Sequence, residues 1–435
     1  MAHKLVVVSF DSLQSNDIES LKTMPNFSEI IKKAAVVKQV RPVYPSLTYP
    51  IHTTMITGVP TMEHGIIHNQ IPGLVRENPD WSIGGSDWFW YHKDIKVPTL
   101  LDAAAQNGKK VANVLWPVTA GMKDILNVPP IWPDKKQVPE ELMRGAMSED
   151  AFERFYSRYH SHYKWNSCDD MHNYGVEIAL EIWEQDQPDL LMHHVEHLDN
   201  TRHLYGDSGK QVDECLRQLD IIMGRYIAAA KRSGALADTN FVFLGDHGQI
   251  DIENVFALNR LFVEEGLIQL DKEGQPVDYQ AYSATAGFSS QVFLKDSNDT
   301  EMYQRVYDFL QRMRERYPQY IEKIYGIDEL RAEGIAAEGL CFMVEGTRGT
   351  LIHKTMTGPL VINTAMPGYV GYRATHGHHP DKQPQPPFIA FGPDICAGTV
   401  IEQGDIMDIC PTLAALAQID FPQAKGKPFP IINKK

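Results

Sequence analysis

The sequence predicts an α/β fold: a mainly parallel sheet sandwiched by helices, with a small α+β cap inserted late in the chain. Three observations carry this. Apolar runs of strand length recur, and they are continuous rather than alternating, as strands covered on both faces must be. Helix-like patterns fall between them, as the crossovers of parallel strands require. Several runs end in polar clusters, and an open α/β sheet binds its ligands at the carboxyl ends of its strands.

The elements follow in order. Leu5–Phe10, LVVVSF, reads as the first buried strand, followed by a polar loop and a helical pattern over Met24–Ala34. VVKQVRPV is the second strand and leads into YPSLTYPIHTTMITG, where prolines bracket Thr48 and a hydroxyl-rich helix follows. The helix VPTLLDAAAQNG stops at Gly108 and precedes the strand-like KKVANVLWP. PDLLMHHVEH, TNFVFLGDHG and, near the C-terminus, PPFIAFGPD repeat the form of an apolar run closed by polar residues. Two regions break the alternation. Residues 122–164 are polar and irregular, then helical, and read as an insertion. Residues 257–353 hold the strand-like SSQVFLK and LCFMVEG around a helix at Glu301–Arg316, and read as the cap, leaving 1–256 and 354–435 as the core.

A hydrophobic content of 43% over 435 residues is ample for a large core. The net charge of −15 repels nucleic acid and anionic membranes, so a small-molecule substrate is expected, with no nucleic-acid or membrane partner. An anionic substrate then needs bound cations to invert the local field. Five cysteines without CxxC pairs make neither a disulfide framework nor a thiolate zinc site. MAHKLVVVSFDS lacks a signal-peptide pattern, which gives a cytoplasmic expectation.

Four strand ends carry the chemistry. Asp11 follows the first strand; Asp199 and His203 follow PDLLMHHVEHL; Asp246 and His247 follow TNFVFLG; His376 lies in YRATHGHHP. Carboxylates and imidazoles converging on one sheet edge suit borderline divalent metals, zinc above all. Each position has an ordinary reading: Asp11 or Thr48 as a helix cap, Asp199 and His203 as an i,i+4 pair, Asp246–His247 as a turn. His193, His194, His197, His378 and His379 crowd the same segments, so residue types alone leave the ligand choice open.

The order of these motifs resembles the nucleotide pyrophosphatase/phosphodiesterase family of the alkaline phosphatase superfamily. LTYPIHTTMITGVPTMEHGIIHNQ resembles that family's nucleophile segment, and WYHKDIKVPTLLDAAAQNGKKVANVLWPV and GDIMDICPTLAALAQIDFPQAKGKPF resemble its later stretches. The resemblance implies an alkaline phosphatase-like core, Thr48 as nucleophile and Asn69 as the side chain holding a phosphoryl oxygen. It implies two zinc ions, with manganese as a substitute in vitro. One is assigned to Asp11, Asp246, His247 and Thr48, the other to Asp199, His203 and His376, and a phosphothreonine would form on Thr48. The chain departs from the family at Ser12–Leu13 after Asp11 and at His378–His379–Pro380 after His376.

Tyr49 offers an aromatic face beside Thr48, and no arginine adjoins Thr48 or Asn69, which favours a phosphodiester over a monoester. Trp88, Phe89, Trp90 and Tyr91 either extend that wall or lie in the core. The expected function is a two-zinc phosphodiesterase. A phosphonoacetate hydrolase-like enzyme is the alternative, with Lys93, Lys96, Lys123 and Lys135 as candidate substrate ligands; a phosphomonoesterase and a non-catalytic metal-binding protein rank lower. A sulfatase is excluded, because no Cys/Ser-x-Pro-x-Arg segment stands at the nucleophile. The cap is expected to supply the far wall of the pocket.

Overall fold

The computed structural model describes residues 3–74, 88–131, 139–160 and 168–433. Its centre is an eight-stranded sheet built from β1 (Lys4–Phe10), β2 (Ala35–Arg41), β3 (Val111–Val114), β4 (Leu126–Val128), β5 (Leu190–Val195), β6 (Thr239–Leu244), β7 (Phe388–Phe391) and β8 (Val400–Asp405). Across the sheet the order is β8, β2, β7, β6, β1, β5, β3, β4. Every neighbouring pair is parallel except those made by β7, which runs antiparallel to both β2 and β6.

β1 shows why the apolar runs are continuous. Val6, Val8 and Phe10 enter a core cluster shared with the helices Cys168–Asp186 and Lys210–Arg232. Leu5 and Val7 enter a second cluster on the opposite face, shared with α1 (Thr48–Thr57) and the helices Leu100–Gln106 and Ile409–Ala417. Successive side chains point to opposite faces, so a strand buried on both needs apolar residues throughout.

Two short strands were not legible in the sequence. Leu126–Val128 lies inside the stretch read as an irregular insertion, yet it pairs with β3 as the edge strand β4. Val400–Asp405 carries several polar residues because it is the opposite edge strand, exposed along much of its length. Within residues 257–353 the chain forms a separate four-stranded antiparallel sheet, in the order Ala281–Thr285, Ser289–Leu294, Leu340–Gly346, Ile321–Tyr325. The helix Thr300–Arg316 packs Val306, Phe309, Leu310 and Met313 onto it, in a core that also takes Tyr44 and Ile67 from the main body. At its base Ala257 pairs with His353, in a parallel ladder between Asn254–Ala257 and Thr350–His353. Among the described residues no helix is long and apolar enough to cross a membrane.

Candidate active site

The register of the central strands brings the acidic residues together. Phe10 pairs with Val195 and Ser9 with Leu244, so the residues that follow β1, β5 and β6 leave the sheet side by side. The backbone N–H of Asp11 continues the ladder to the Val195 carbonyl at 2.9 Å. Beyond β6, Asp246 Oδ1 accepts from the backbone N–H groups of Ser12 and His247, both at 2.9 Å. Ser12 reaches this contact in the left-handed region, at φ 66°, a conformation that favours glycine.

Thr48 is the first residue of α1, and Leu47, not Thr48, is its N-cap; Leu47 makes no side-chain cap bond. The capping reading of Thr48 therefore fails. Its Oγ1 stands 3.2 Å from His247 Nε2. The same nitrogen lies 3.3 Å from Asp11 Oδ1 and 3.3 Å from Asp246 Oδ2. The threonines and the histidine that follow Tyr49 on α1 are buried and bonded. Thr53 and Thr57 donate to the carbonyls four residues back, Thr54 pairs with His64, and His52 bridges Ser9 Oγ and the Thr48 carbonyl. The hydroxyl-rich sequence thus satisfies itself against the sheet and leaves Thr48 facing the cleft.

A second group stands beside the first. On α2 (His197–Tyr205) Asp199 Oδ2 and His203 Nε2 are 3.1 Å apart, and Asp199 Oδ1 is 3.9 Å from His376 Nε2. The i,i+4 reading was right about the helix. It missed that the pair faces His376, whose ring stacks on His247 with centroids 3.8 Å apart. His203 Nδ1 donates to the Ala374 carbonyl and His376 Nδ1 to the Ser46 carbonyl, which turns both Nε2 atoms toward the cleft.

These residues fit a pair of metal ions. The donor atoms of Asp199, His203 and His376 lie within 4.8 Å of one another, as do those of Asp11, Asp199 and His247. Asp199 thus borders both groups rather than one. Asp11 Oδ1 and Asp246 Oδ2 are buried with no hydrogen-bond donor, a costly state that a cation relieves. Burial, with repulsion from Asp246, Asp199 and Glu196, holds the Asp11 carboxyl well above the usual range, and burial raises Asp246 too. Burial opposes ionisation of Asp199, yet the adjacent His203 and His376 hold it below its ordinary value. Burial pushes His247 down to about 4 and His376 to about 3, so both are neutral imidazoles near pH 7.

The cleft over these groups holds about 390 Å³, and Asn69, Tyr49, Trp88, Pro117, Pro130 and Tyr372 line its walls. Asn69 Oδ1 accepts the Tyr49 backbone N–H at 2.9 Å, which fixes the amide so that its NH₂ is the group left to donate. That bond also occupies the Tyr49 N–H. Trp88 packs edge-on against Tyr49 at 5.2 Å, whereas Trp90 is core. No residue of 257–353 is among the described residues lining the cleft, so the expected cap wall is replaced by Pro117, Pro130 and Tyr372. Neither Lys nor Arg is among them. Lys93 lies over the Tyr91 ring, Lys123 donates to main-chain carbonyls, and Lys96 packs against Gly65. Lys135 lies outside the described residues.

Residues 5–381 match the family described as type I phosphodiesterase / nucleotide pyrophosphatase. The chain belongs to this family. Among curated relatives it is 22% identical over 304 residues to the human bis(5′-adenosyl)-triphosphatase ENPP4, covering 70% of this chain and 57% of that one. It is 26% identical over 250 residues to a venom phosphodiesterase of Naja atra, covering 56% of this chain and 26% of that one. The chain thus spans less than two thirds of these relatives' length. Among solved structures, human ENPP5 superposes with a TM-score of 0.68 at 18% identity, covering 99% of this chain and 100% of that one. Murine ENPP5, as an inactive variant in complex with AMP, superposes at 0.66 and 19% identity, covering 96% of each chain. These likenesses show that the chain shares the fold of the ENPP5 structures.

Within this family fold, four residues close to the ligand set had no distinct signal in the sequence. His194 Nε2 lies 3.3 Å from Asp11 Oδ2, and Gln249 Nε2 lies 2.5 Å from Asp199 Oδ1. Glu196 lines the cleft, and burial followed by repulsion from Asp199 pushes its carboxyl up to about 8. His52 stands behind Asp246, 3.7 Å from Oδ2. HHVEH showed that polar groups cluster after β5, but only the register shows which of them faces Asp11.

Proposed function

We propose that this protein hydrolyses phosphodiesters of the nucleotide class at a two-zinc site, through a phosphothreonine on Thr48. The observation that carries this reading is the Thr48 hydroxyl at a helix N-terminus, 3.2 Å from His247, facing two adjoining sets of carboxylates and imidazoles. Asp11, Asp246 and His247 would hold one zinc beside Thr48, and Asp199, His203 and His376 the other; manganese is the expected substitute. Bound there, the metals supply Lewis-acid stabilisation of charge on the attacking and leaving oxygens.

The chain's own residues do the rest. Thr48 Oγ1 forms a bond to phosphorus as the bond to the leaving oxygen breaks, and water then cleaves the phosphothreonine to restore the hydroxyl. The Asn69 NH₂ donates to a non-bridging phosphoryl oxygen, its orientation fixed beforehand by Tyr49. Tyr49 and Trp88 present an apolar wall to the retained half of the substrate.

A diester carries one phosphoryl charge and a monoester up to two. The absence of Lys and Arg among the described lining residues supports the diester, and the described candidate lysines of a phosphonate hydrolase, Lys93, Lys96 and Lys123, are not among them. The nucleotide class is supported by the printed activities of the relatives and by the AMP bound to the ENPP5 neighbour. Zinc-loaded protein is expected to cleave a nitrophenyl nucleotide diester at least about tenfold more efficiently than nitrophenyl phosphate, a difference of about 1.4 kcal/mol. A monoester or phosphonoacetate preference of that size would overturn the reading.

A further inference from the structure

Next to the metal cleft lies a second cavity of about 480 Å³ that the reaction as described does not use. Val255, Leu351, Ile362, Tyr369 and Val370 line it, with no Asp, Glu, Lys or Arg among its described lining residues. Tyr372 lines both this cavity and the metal cleft. Its ring stacks on His203 with centroids 4.3 Å apart. The same segment then gives the Ala374 carbonyl to His203, lines the cavity with Thr375, and supplies His376.

The position follows from the reaction. In-line attack places the entering and leaving oxygens on opposite sides of phosphorus. Thr48 enters from the side of His247 and Asp11, so the leaving oxygen departs toward Asp199, His203 and His376. The cavity borders that second group through Tyr372, whose ring stacks on His203. We propose that it is the leaving-group subsite, and that it takes an uncharged apolar or aromatic alcohol. This rests on the phosphodiesterase reading above and narrows its substrate class. A leaving group that is itself a phosphate ester, such as a nucleotide, would bring negative charge into a cavity whose described lining has no Lys or Arg, and whose His353 is held below its ordinary value by burial. An aromatic ring instead meets Tyr369, Tyr372 and aliphatic side chains.

The test uses full-length zinc-loaded protein and two thymidine 5′-phosphate esters, of phenol and of 2-naphthol, alcohols of similar acidity. ATP is the substrate with a charged leaving group. The naphthyl ester is expected to exceed the phenyl ester in kcat/KM by about tenfold, the selectivity available to an apolar pocket. ATP is expected to be the poorest of the three. Val370→Asp, in the exposed rim of the cavity, and Ile362→Asn are expected to bring the naphthyl-to-phenyl ratio to about one, while Val400→Asp, on the far edge of the main sheet, keeps it. Calorimetry supplies a readout independent of turnover: 2-naphthol is expected to bind the wild-type protein and not Val370→Asp. Equal efficiency on both aryl esters without 2-naphthol binding, or a preference for ATP, overturns the subsite and leaves the diesterase reading standing. If none of the three is hydrolysed, the diesterase reading falls, and the calorimetry still decides the cavity.

Discussion

Thr48 is where a single residue decides most. Since Leu47 is the N-cap and the Thr48 side chain makes no cap bond, Thr48→Ala removes the proposed nucleophile at little cost to α1. Turnover is expected to fall by about a thousandfold or more. The melting temperature should move by no more than about 2 °C, since roughly 1 kcal/mol shifts the midpoint of a chain of this size by about 1 °C. Thr48→Ser keeps the oxygen and should retain measurable activity. Near-normal turnover in Thr48→Ala would remove Thr48 from the mechanism. The sequence showed these positions because strand ends attract ligands and because Asp, His and Thr are informative residue types there. It did not show His194, Glu196 or Gln249, whose roles depend on which side chains meet across neighbouring strands. The Ser12 departure has a local reading: the position needs a left-handed backbone and a free N–H for Asp246, and serine supplies both at some conformational cost.

The elements that hold the site are joined to the four-stranded sheet through one buried carboxylate. Glu345, on Leu340–Gly346, accepts from Tyr44 Oη at 2.7 Å and from Lys382 Nζ at 2.8 Å, and lies 3.0 Å from His378 Nδ1. Tyr44 leads into α1, and His378 follows His376, so Glu345 spans the segments bearing the proposed nucleophile Thr48 and the proposed metal ligand His376. Nearby, Gly377 approaches the turn at Ala286 so closely that a Cβ would sit 1.6 Å from the Ala286 carbonyl oxygen. Glu345→Ala leaves Lys382 and His378 without their buried partner and should cost about 3 kcal/mol or more, read from denaturant midpoints. Glu345→Gln, which keeps an acceptor for Tyr44 but not the charge, should cost less; equal losses would mean that the charge accounts for the whole cost and the acceptor for none of it. LCFMVEG was legible as a strand from its apolar run, but the glutamate near its end looked like an ordinary strand terminus. β4 was hidden for a different reason: a three-residue edge strand is too short to show any period.

At the scale of the whole molecule, stability is tied to pH and to metal in opposite ways. Burial pushes His64, His172 and His193 from 6.5 to about 3, so each stays neutral in the folded chain. A depressed histidine contributes stability that is complete above about pH 6.5 and is lost as pH falls toward 3, because the unfolded chain takes up the protons first. The melting temperature of the chelator-treated protein should therefore fall across that window. His64→Gln, which removes one such group, should make the fall shallower, and an unchanged slope would exclude His64 as a source. Asp11 and Asp246 are raised instead, so they favour the folded state at low pH and oppose it as pH rises through their folded values. Zinc should reverse that opposition. Adding it near pH 7 at a hundred times its dissociation constant should stabilise by about 2.7 kcal/mol per site. Scanning calorimetry with and without chelator measures it, and no zinc-dependent shift would mean that the two groups do not bind the ion. The alternation of apolar runs and helices was enough to predict the layered core, since burial on both faces leaves a strong signature. Tyr49 and Trp88 were legible as part of the cleft wall, but the rest was not, because Pro117, Pro130 and Tyr372 come from three separate connections with no shared pattern.

The antiparallel strand β7 also sets an order of events during synthesis. It lies between β2 and β6, so β8 and β2 join the other five strands of the sheet only through it. A growing chain can carry all of Asp11, Thr48, Asp199, His203, Asp246, His247 and His376 and still have an open sheet. The edges of β2 and β6 stay unpaired, and available to other chains, until residue 391 has been translated. A nascent chain arrested at the end of the family match, residue 381, should remain sensitive to protease, and one extended past β8 should become resistant. A strand that carries none of the candidate site residues is thus the one that commits the chain to its native state.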